Sequence, residues 1–428
     1  VIGFDGRLNE HAGKYKGMKV NAARVQIVQD MQTMGLIEKI KEDYTHRVGT
    51  CYRCARVLEP LPKEQWFIKI KPLADSAKKL IKEKKTVIFP KRFEKQMVRI
   101  LDNYIDWNIS RQVVWGIRIP AYFCTNSKLK IENSNSWFVS EEKPEKCQIC
   151  GECDFVQDED TFDTWFSSAQ WPFATLMSCS NSKFKIENEE LNFYKYFYPT
   201  SVMETGHDIM RAWVARMMMI GDFATDKPPF KTVFLHGMVR DGKGQKMSKS
   251  KGNVIDPLLL MDKYGTDALR AALIFGTKEG GDVSLSEDKV KGMRNFANKI
   301  WNIGRFIELN SNVKTQNSNQ IQNSNLPIIQ ELKKELKELK KRYMLNMKKY
   351  RFSQALNDLH EFIWHRLADY YVEQLKDELK NDNMSALDTI KVVYLENIKM
   401  LHPFMPYVTE AVGQVFYGKE TSLLQIGF

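Results

Sequence analysis

Two lysines, Lys246 and Lys249, stand three residues apart in the run Lys246-Met247-Ser248-Lys249-Ser250-Lys251-Gly252-Asn253. Ammonium groups at that spacing, on a Ser-rich segment flanked by Gly242, Gly244 and Gly252, suit a transient polyanion better than a permanent packing partner. They can close on nucleotide phosphates as charge builds on a departing pyrophosphate. Electrostatic stabilisation of that kind often supplies the largest single share of catalysis. A bare K-x-x-K is otherwise an ordinary solvated loop. The overlapping run Gly237 to Lys243 fits the start of a P-loop, G-x-x-x-x-G-K, but Gly244 stands where a magnesium-binding Ser or Thr is required. A Walker-type ATPase is therefore excluded.

The elements that must position this loop are legible on either side of it. Thr200 to Thr205 is strand-like, Gly206-His207-Asp208 makes a turn, and Ile209, Trp213, Met217 and Ile220 fall on one helical face. Thr232 to His236 is the next strand. Strand, turn, helix, strand is a βαβ unit, which presents ligands at the carboxyl ends of its strands, here Gly206 to Asp208 and His236 to Gly237. From Glu287 onward the apolar spacing is helical, through Phe296 and Ile300, Leu332 to Leu339, Leu356 to Leu367 and Val392 to Leu401, and predicts an α-helical bundle. Near the amino end Val25, Val28, Met31, Met34 and Leu36 mark a helix that Gly35 terminates.

Composition sets the bounds. The 428 residues carry a net charge of +11, which favours nucleic acid or polyphosphate partners, and no apolar run approaches the length of a membrane span. Seven cysteines in a long chain point to a reducing, cytoplasmic setting and to metal sites over disulfides. Cys51-Tyr52-Arg53-Cys54 and Cys147-Gln148-Ile149-Cys150 are two C-x-x-C knuckles able to supply four thiolates to one tetrahedral zinc ion. Their separation also allows two separate sites, with Cys124 or Cys153 as further ligands, or reduced thiols without metal. An octamer, Asn126 to Asn133, recurs at Asn181 to Asn188 and more faintly at Asn310 to Asn317. Irregular intervals exclude a solenoid, so these polar copies read as surface insertions.

Taken together these stretches resemble the class I aminoacyl-tRNA synthetases, and among them the valyl-tRNA synthetase family, over essentially the whole chain. The lysine run resembles the second class I signature. Asp106-Trp107-Asn108-Ile109-Ser110-Arg111-Gln112 with Trp115-Gly116 and Arg118-Ile119-Pro120 resembles D-W-x-I-S-R-Q…W-G-x-R-I-P. Asp163-Thr164-Trp165-Phe166-Ser167-Ser168 with Trp171-Pro172-Phe173, and Thr205-Gly206-His207-Asp208-Ile209 with Trp213-Val214-Ala215-Arg216-Met217, resemble two more of its signatures. Tyr350-Arg351-Phe352-Ser353 and Phe362-Ile363-Trp364 resemble the anticodon-binding domain. Isoleucyl enzymes share the loop signature but usually read D-V-W-F-D-S-G at the Trp165 stretch and carry Pro at the position of Arg118, which favours valine. Arg211 departs from the family, which prefers an aromatic there and so implies a different packing of the following helix.

The resemblance implies the second half of an α/β Rossmann-type catalytic domain with a zinc-knuckle insertion, followed by an all-α anticodon-binding helical bundle. Residues 1–45 would close an inserted editing domain, 46–285 form the catalytic domain and 286–428 the bundle. It implies ATP with Mg2+, L-valine and tRNA(Val) as partners and a structural Zn2+ shared by the two knuckles, in a monomeric enzyme with no membrane association. Lys246 and Lys249 would be catalytic, and Gly206, His236, Gly237, Met247, Ser248 and Ser250 would join them around ATP. Trp165, Asp208 and Ile209 would line the valine pocket. The family's H-x-G-H signature is missing, since no two of His11, His46, His207, His236, His360, His365 and His402 have that spacing. The expectation is thus a carboxyl-terminal part, truncated or one half of a split enzyme, that does not activate valine unaided; alternatives are an isoleucyl-type synthetase or a tRNA-binding module.

Overall fold

A computed structural model describes the chain except for residues 52–53, 126–136, 152–153, 181–184, 187–188, 191, 248–251, 315–325, 377–383 and 427–428. Contacts divide it into two compact units, Val1–Ile68 with Asn108–Gln112, and Lys69–Trp107 with Val113–Phe428. In the smaller unit the helix Val20–Thr33 is followed by Gly35, whose φ of +68° lets the chain turn away as expected. The apolar residues Val25, Val28, Met31, Met34 and Leu36 are nonetheless exposed, and the helix buries Ala23 alone.

The larger unit holds a parallel sheet of three strands, β1 (Val87–Phe89), β2 (Thr200–Gly206) and β3 (Phe230–His236), in the order β2-β3-β1. The register pairs Thr200 with Phe230 and Gly206 with His236, so β2 and β3 end flush. Alternation along β3 buries Val233 and Leu235, and Phe230, on the opposite face, is buried at its start. Between β2 and β3 runs the helix Ala215–Thr225, which buries Met217, Met218, Met219 and Ile220. The expected helical face is displaced at its start. A wide π-helical turn over Met210–Val214 shifts the phase, so Met210 and Val214 are buried while Ile209 and Trp213 are half-buried. Arg211 also finds an aromatic neighbour, because its guanidinium lies 5.0 Å from the Tyr104 ring and its carbonyl accepts from the Tyr104 hydroxyl.

Beyond the sheet the unit is helical, through Glu287–Lys314, Pro327–Lys348, Phe352–Glu361, Phe362–Val372, Met384–Leu401 and Pro406–Tyr417. Phe296, Ile300, Leu332, Leu339, Leu356, Leu367, Ile398 and Leu401 share one core, which also takes in Leu260, Ala268 and Ala272. Each fully buried Leu, Ile or Phe contributes roughly 1.5–3 kcal/mol, so this apolar core dominates the cohesion of the region. Val392, read above as a core position, is exposed, and the adjacent Val393 is buried in its place. Two helices meet at Tyr350, a non-glycine residue with φ of +53°. Its ring packs 5.6 Å from that of Phe89 and 5.8 Å from that of Phe234, which joins the helical region to the sheet.

A separate antiparallel sheet has Ala121–Cys124 at its centre, between Trp137–Val139 and Phe155–Gln157. Of the repeated octamers, the first lies outside the described residues and the second falls largely outside them. The third begins inside a helix instead of an insertion: Asn310 Nδ2 donates to the Phe306 carbonyl and Ser311 Oγ to that of Ile307. Among the described residues no helix is long and apolar enough to cross a membrane.

Candidate active site

The flush ends of β2 and β3 bring Gly206 beside His236. A side chain at 206 would meet the Asp208 carboxylate at 2.5 Å and the His236 ring at 3.5 Å, so the Asp208 side chain folds back close over the strand end. Asp208 is exposed on a short 3-10 turn, His207–Ile209. His236 Nδ1 lies 2.7 Å from the Gly237 carbonyl and Nε2 lies 3.2 Å from Glu204. Gly237 has no room at all, because a Cβ there would sit 2.0 Å from the Gly281 carbonyl oxygen. A cavity of about 280 Å³ opens beside these residues, lined among others by Phe234, His236, Gly237, Val239 and Gly280.

From Gly237 the chain runs into β4 (Val239–Arg240), which pairs in parallel with β5 (Val283–Ser284). Asp282 anchors this small ribbon. Its carboxylate accepts from the Met238 N–H at 2.8 Å and from Arg240 Nε, and lies 3.5 Å from His207 Nε2. The Met238 N–H first, then Arg240 and His207, hold Asp282 below the usual carboxylate range despite an opposing effect of burial. The His207 ring in turn stacks on Phe93, with centroids 5.4 Å apart. The lysine loop leaves from the end of β4. Lys246 and Met247 are described, and Met247 packs against the helical core; Ser248, Lys249 and Ser250 lie outside the described residues.

Trp165 is half-buried on the helix Thr164–Ala169, where Asp163 is the cap and accepts from the Trp165 N–H. Asp163 is itself buried and accepts from Trp107 Nε1 at 3.0 Å, while the Arg216 guanidinium lies 3.9 Å from the Trp107 ring. Trp213 Nε1 donates to the Ser168 carbonyl at 3.2 Å, tying the Trp165 helix to the segment that follows Asp208 and Ile209. The strand ends carry an exposed carboxylate, Asp208, and lead on to a cationic loop, parts able to hold an ammonium and a polyphosphate; the cavity beside them is lined by His236 and Gly237 but not by Trp165, Asp208, Ile209 or Lys246.

Residues 9–286 match the family described as tRNA synthetases class I (I, L, M and V), and residues 330–427 match the anticodon-binding domain of tRNA ligases. The chain belongs to the class I tRNA synthetases. Relatives of this synthetase chain include the valine–tRNA ligases of Dehalococcoides mccartyi, Petrotoga mobilis and Clostridium perfringens, 40% identical over 408, 422 and 416 residues. Those alignments cover 95–97% of this chain but 44–46% of the relatives, so the chain spans under half the length of the curated relatives it matches. A methionyl-tRNA synthetase of Mycobacterium tuberculosis in complex with methionyl-adenylate shares the fold with a TM-score of 0.60 at 18% identity, covering 86% of this chain and 65% of its own. The LeuRS in a tRNA–LeuAMS ternary complex from Agrobacterium radiobacter K84 gives 0.57 at 20% identity, covering 76% and 41%. At those identities the likeness is one of fold.

The cysteines of this synthetase chain group differently from the expected pairing. The Sγ atoms of Cys124, Cys147 and Cys150 lie within 4.8 Å of one another, with Cys124 and Cys150 3.6 Å apart. Zn–S bonds of about 2.3 Å in a tetrahedron place sulfurs about 3.8 Å apart, so the cluster fits zinc. Burial opposes ionisation of Cys147, but the N–H groups of Cys150 and Ile149 and the neighbouring thiols outweigh it and bring its pKa below the ordinary thiol value. Cys51 and Cys54 belong to the other compact unit, and Cys153 lies outside the described residues. Cys124 was within reach of sequence reading as a spare ligand. Asp282, Asp241 and Asn253 were not singled out; for Asp282 the available signal was the Gly280-Gly281 pair before it, a mark of close backbone approach.

Proposed function

We propose that the protein carrying this chain is a valine–tRNA ligase that activates valine with ATP and transfers it to tRNA(Val). The observation that carries this reading is the flush register of Gly206 and His236, with the Asp208 turn leaving the first strand end and the chain after the second running through β4 into the Lys246 loop. In this reading the Asp208 carboxylate holds the valine ammonium, and Trp165 and Ile209 border its side chain. The valine carboxylate attacks the α-phosphorus of ATP, the bond to the β-phosphate oxygen breaks, and valyl-AMP and pyrophosphate form. No acid–base pair is needed; the work is positioning and charge stabilisation. Lys246 and Lys249 offset the charge that grows on the leaving pyrophosphate, and magnesium enters with ATP as part of the substrate. The 2′-hydroxyl of the terminal adenosine of the tRNA then takes the valyl group.

The helical region from Pro327 onward is the part we assign to tRNA, supported by its family match. Cys124, Cys147 and Cys150 would hold a structural zinc that fastens the segment after Trp137–Val139 to the end of the central strand. The function is tested by valine-dependent ATP–pyrophosphate exchange in the full-length protein, with isoleucine and threonine as competitors. Exchange driven better by isoleucine than by valine would sink the assignment. Zinc is tested by metal analysis of protein purified without chelator, and Cys124→Ser is expected to abolish stoichiometric binding whereas Cys54→Ser is not.

A further inference from the structure

The neck of the lysine loop is closed by side chains that nothing above uses. Asp241 and Asn253 stand twelve positions apart, one on each side of the loop, and Asn253 Nδ2 donates to Asp241 Oδ2 at 2.9 Å. The same amide nitrogen reaches the Lys246 carbonyl at 3.2 Å. The other Asp241 oxygen, Oδ1, accepts from the backbone N–H groups of Lys243 at 3.0 Å and Gln245 at 2.7 Å. The Asp241 N–H donates to the Gln245 carbonyl and the Gly244 N–H to that of Asp241, so the turn from Asp241 to Gln245 is internally bonded.

We propose that Asp241 and Asn253 are positioning residues: a clasp that closes the loop across its neck and fixes where Lys246 departs toward the phosphates. The proposal rests on the phosphate role assigned to that lysine under Proposed function. Two physical points support it. The hydrogen bonds that hold Asp241 come from neutral N–H donors, Asn253 first and then the Gln245 and Lys243 amides, and these, with the Lys243 charge adding least, bring its pKa below the usual carboxylate range. Its charge is thus anchored without drawing an ammonium away from an incoming phosphate. Closing the loop at its neck also removes, before the substrate arrives, conformational freedom that ordering the loop would otherwise have to overcome.

The chemistry of the clasp predicts an asymmetric response to substitution. Asp241→Asn keeps an oxygen for the two backbone N–H groups but turns an amide nitrogen toward the Asn253 amide. Donor then faces donor, and flipping Asn253 relieves this only by turning its oxygen onto the Lys246 carbonyl. The exchange Asp241→Asn with Asn253→Asp restores one donor–acceptor pair across the neck, though not the bond to Lys246.

The test has two independent readouts. Hydrogen exchange in the 428-residue chain monitors the Lys243 and Gln245 amides. Calorimetry on the same chain measures the affinity for inorganic pyrophosphate and for ATP·Mg2+. Asn253→Ala and Asp241→Asn are expected to weaken pyrophosphate binding by about tenfold, the scale of losing one positioned contact, and the double exchange to recover part of it. Asn253→Ala is also expected to speed exchange at both amides. In the full-length protein the same variants should raise KM for ATP and lower kcat while leaving KM for valine unchanged. Unchanged amide exchange in Asn253→Ala overturns the clasp. Faster amide exchange with unchanged pyrophosphate affinity overturns its positioning role, as does an equal rise in KM for valine. If the full-length protein shows no valine-dependent exchange, the reading under Proposed function fails, and pyrophosphate affinity in the chain still decides the clasp.

Discussion

The helical region and the lysine-loop platform are held together by different physics, although both belong to one compact unit. The helices from Glu287 onward share a core in which Phe296, Ile300, Leu356 and Ile398 have no solvent exposure. The platform, residues 237–247 with Asn253 and residues 282–284, has ribbon strands of two residues each, and two carboxylates, Asp282 and Asp241, organise its backbone. The first is non-directional and additive over many residues, and the second is directional and concentrated in a few atoms. A region that binds and releases a polyanion gains from the second kind, because a few hydrogen bonds fix geometry without burying the ligand-binding groups.

The sharpest break between the two is expected from the core. Ile398→Ala should destabilise the chain by about 2–5 kcal/mol in urea unfolding, through lost burial and a residual cavity. Gly237→Ala should cost about 1–3 kcal/mol, because a Cβ cannot coexist with the Gly281 carbonyl and either β5 or the end of β3 must shift. Unlike the core substitution it should also weaken ATP·Mg2+ binding. Wild-type affinity in that variant would show that the contact does not shape the site.

Asp282→Ala should have a smaller effect, about 1–2 kcal/mol and local, since the Met238 N–H and Arg240 lose their acceptor in a partly solvated place. Its pH dependence has a definite sign. The folded-state pKa is depressed, so the contribution of Asp282 is present above the ordinary carboxylate range and is lost as pH falls through that range toward the lower folded value. The protection of the Met238 amide, its exchange rate relative to the intrinsic rate at each pH, should follow that course and become flat in the variant.

The smallest expected effect lies in the helices. His360 packs against Phe275, Phe296 and Trp364, and burial lowers its pKa from 6.5. The unfolded chain therefore binds the proton more readily, and stability should decline as pH drops below about 6.5. Thermal melts of His360→Phe over pH 5–8 should lack that decline.

The same contrast explains what could be read from the sequence. Repeated apolar spacing reports a core, so the helices after Glu287 and the strands ending at Gly206 and His236 were legible. The misplacement of Val392 for Val393 is a one-residue phase error that spacing alone does not resolve. The helix Val20–Thr33 has apolar residues at helical spacing and yet exposes them, since periodicity states which residues share a face and not what covers it. Ribbon pairing between Val239 and Val283 has no period to read, and the hydrogen bonds of Asp282 to Met238 and Arg240 span 44 and 42 positions. Cys124 was legible only as one of two possible further ligands, for a related reason. It joins Cys147 and Cys150 from the end of a strand rather than from a C-x-x-C pair.

Tyr350 gives the joint between helices and sheet a chemical signature. A left-handed backbone disfavours any residue with a Cβ by roughly 1–2 kcal/mol, and glycine would relieve it at once. Glycine would also delete the ring that packs against the stacked pair Phe89 and Phe234. Backbone ease and ring contact thus pull this position in opposite directions, so its occupant reports which one dominates. An aromatic residue held in an unfavourable conformation means that, at this joint between the helical region and the sheet, the ring contacts outweigh the backbone cost.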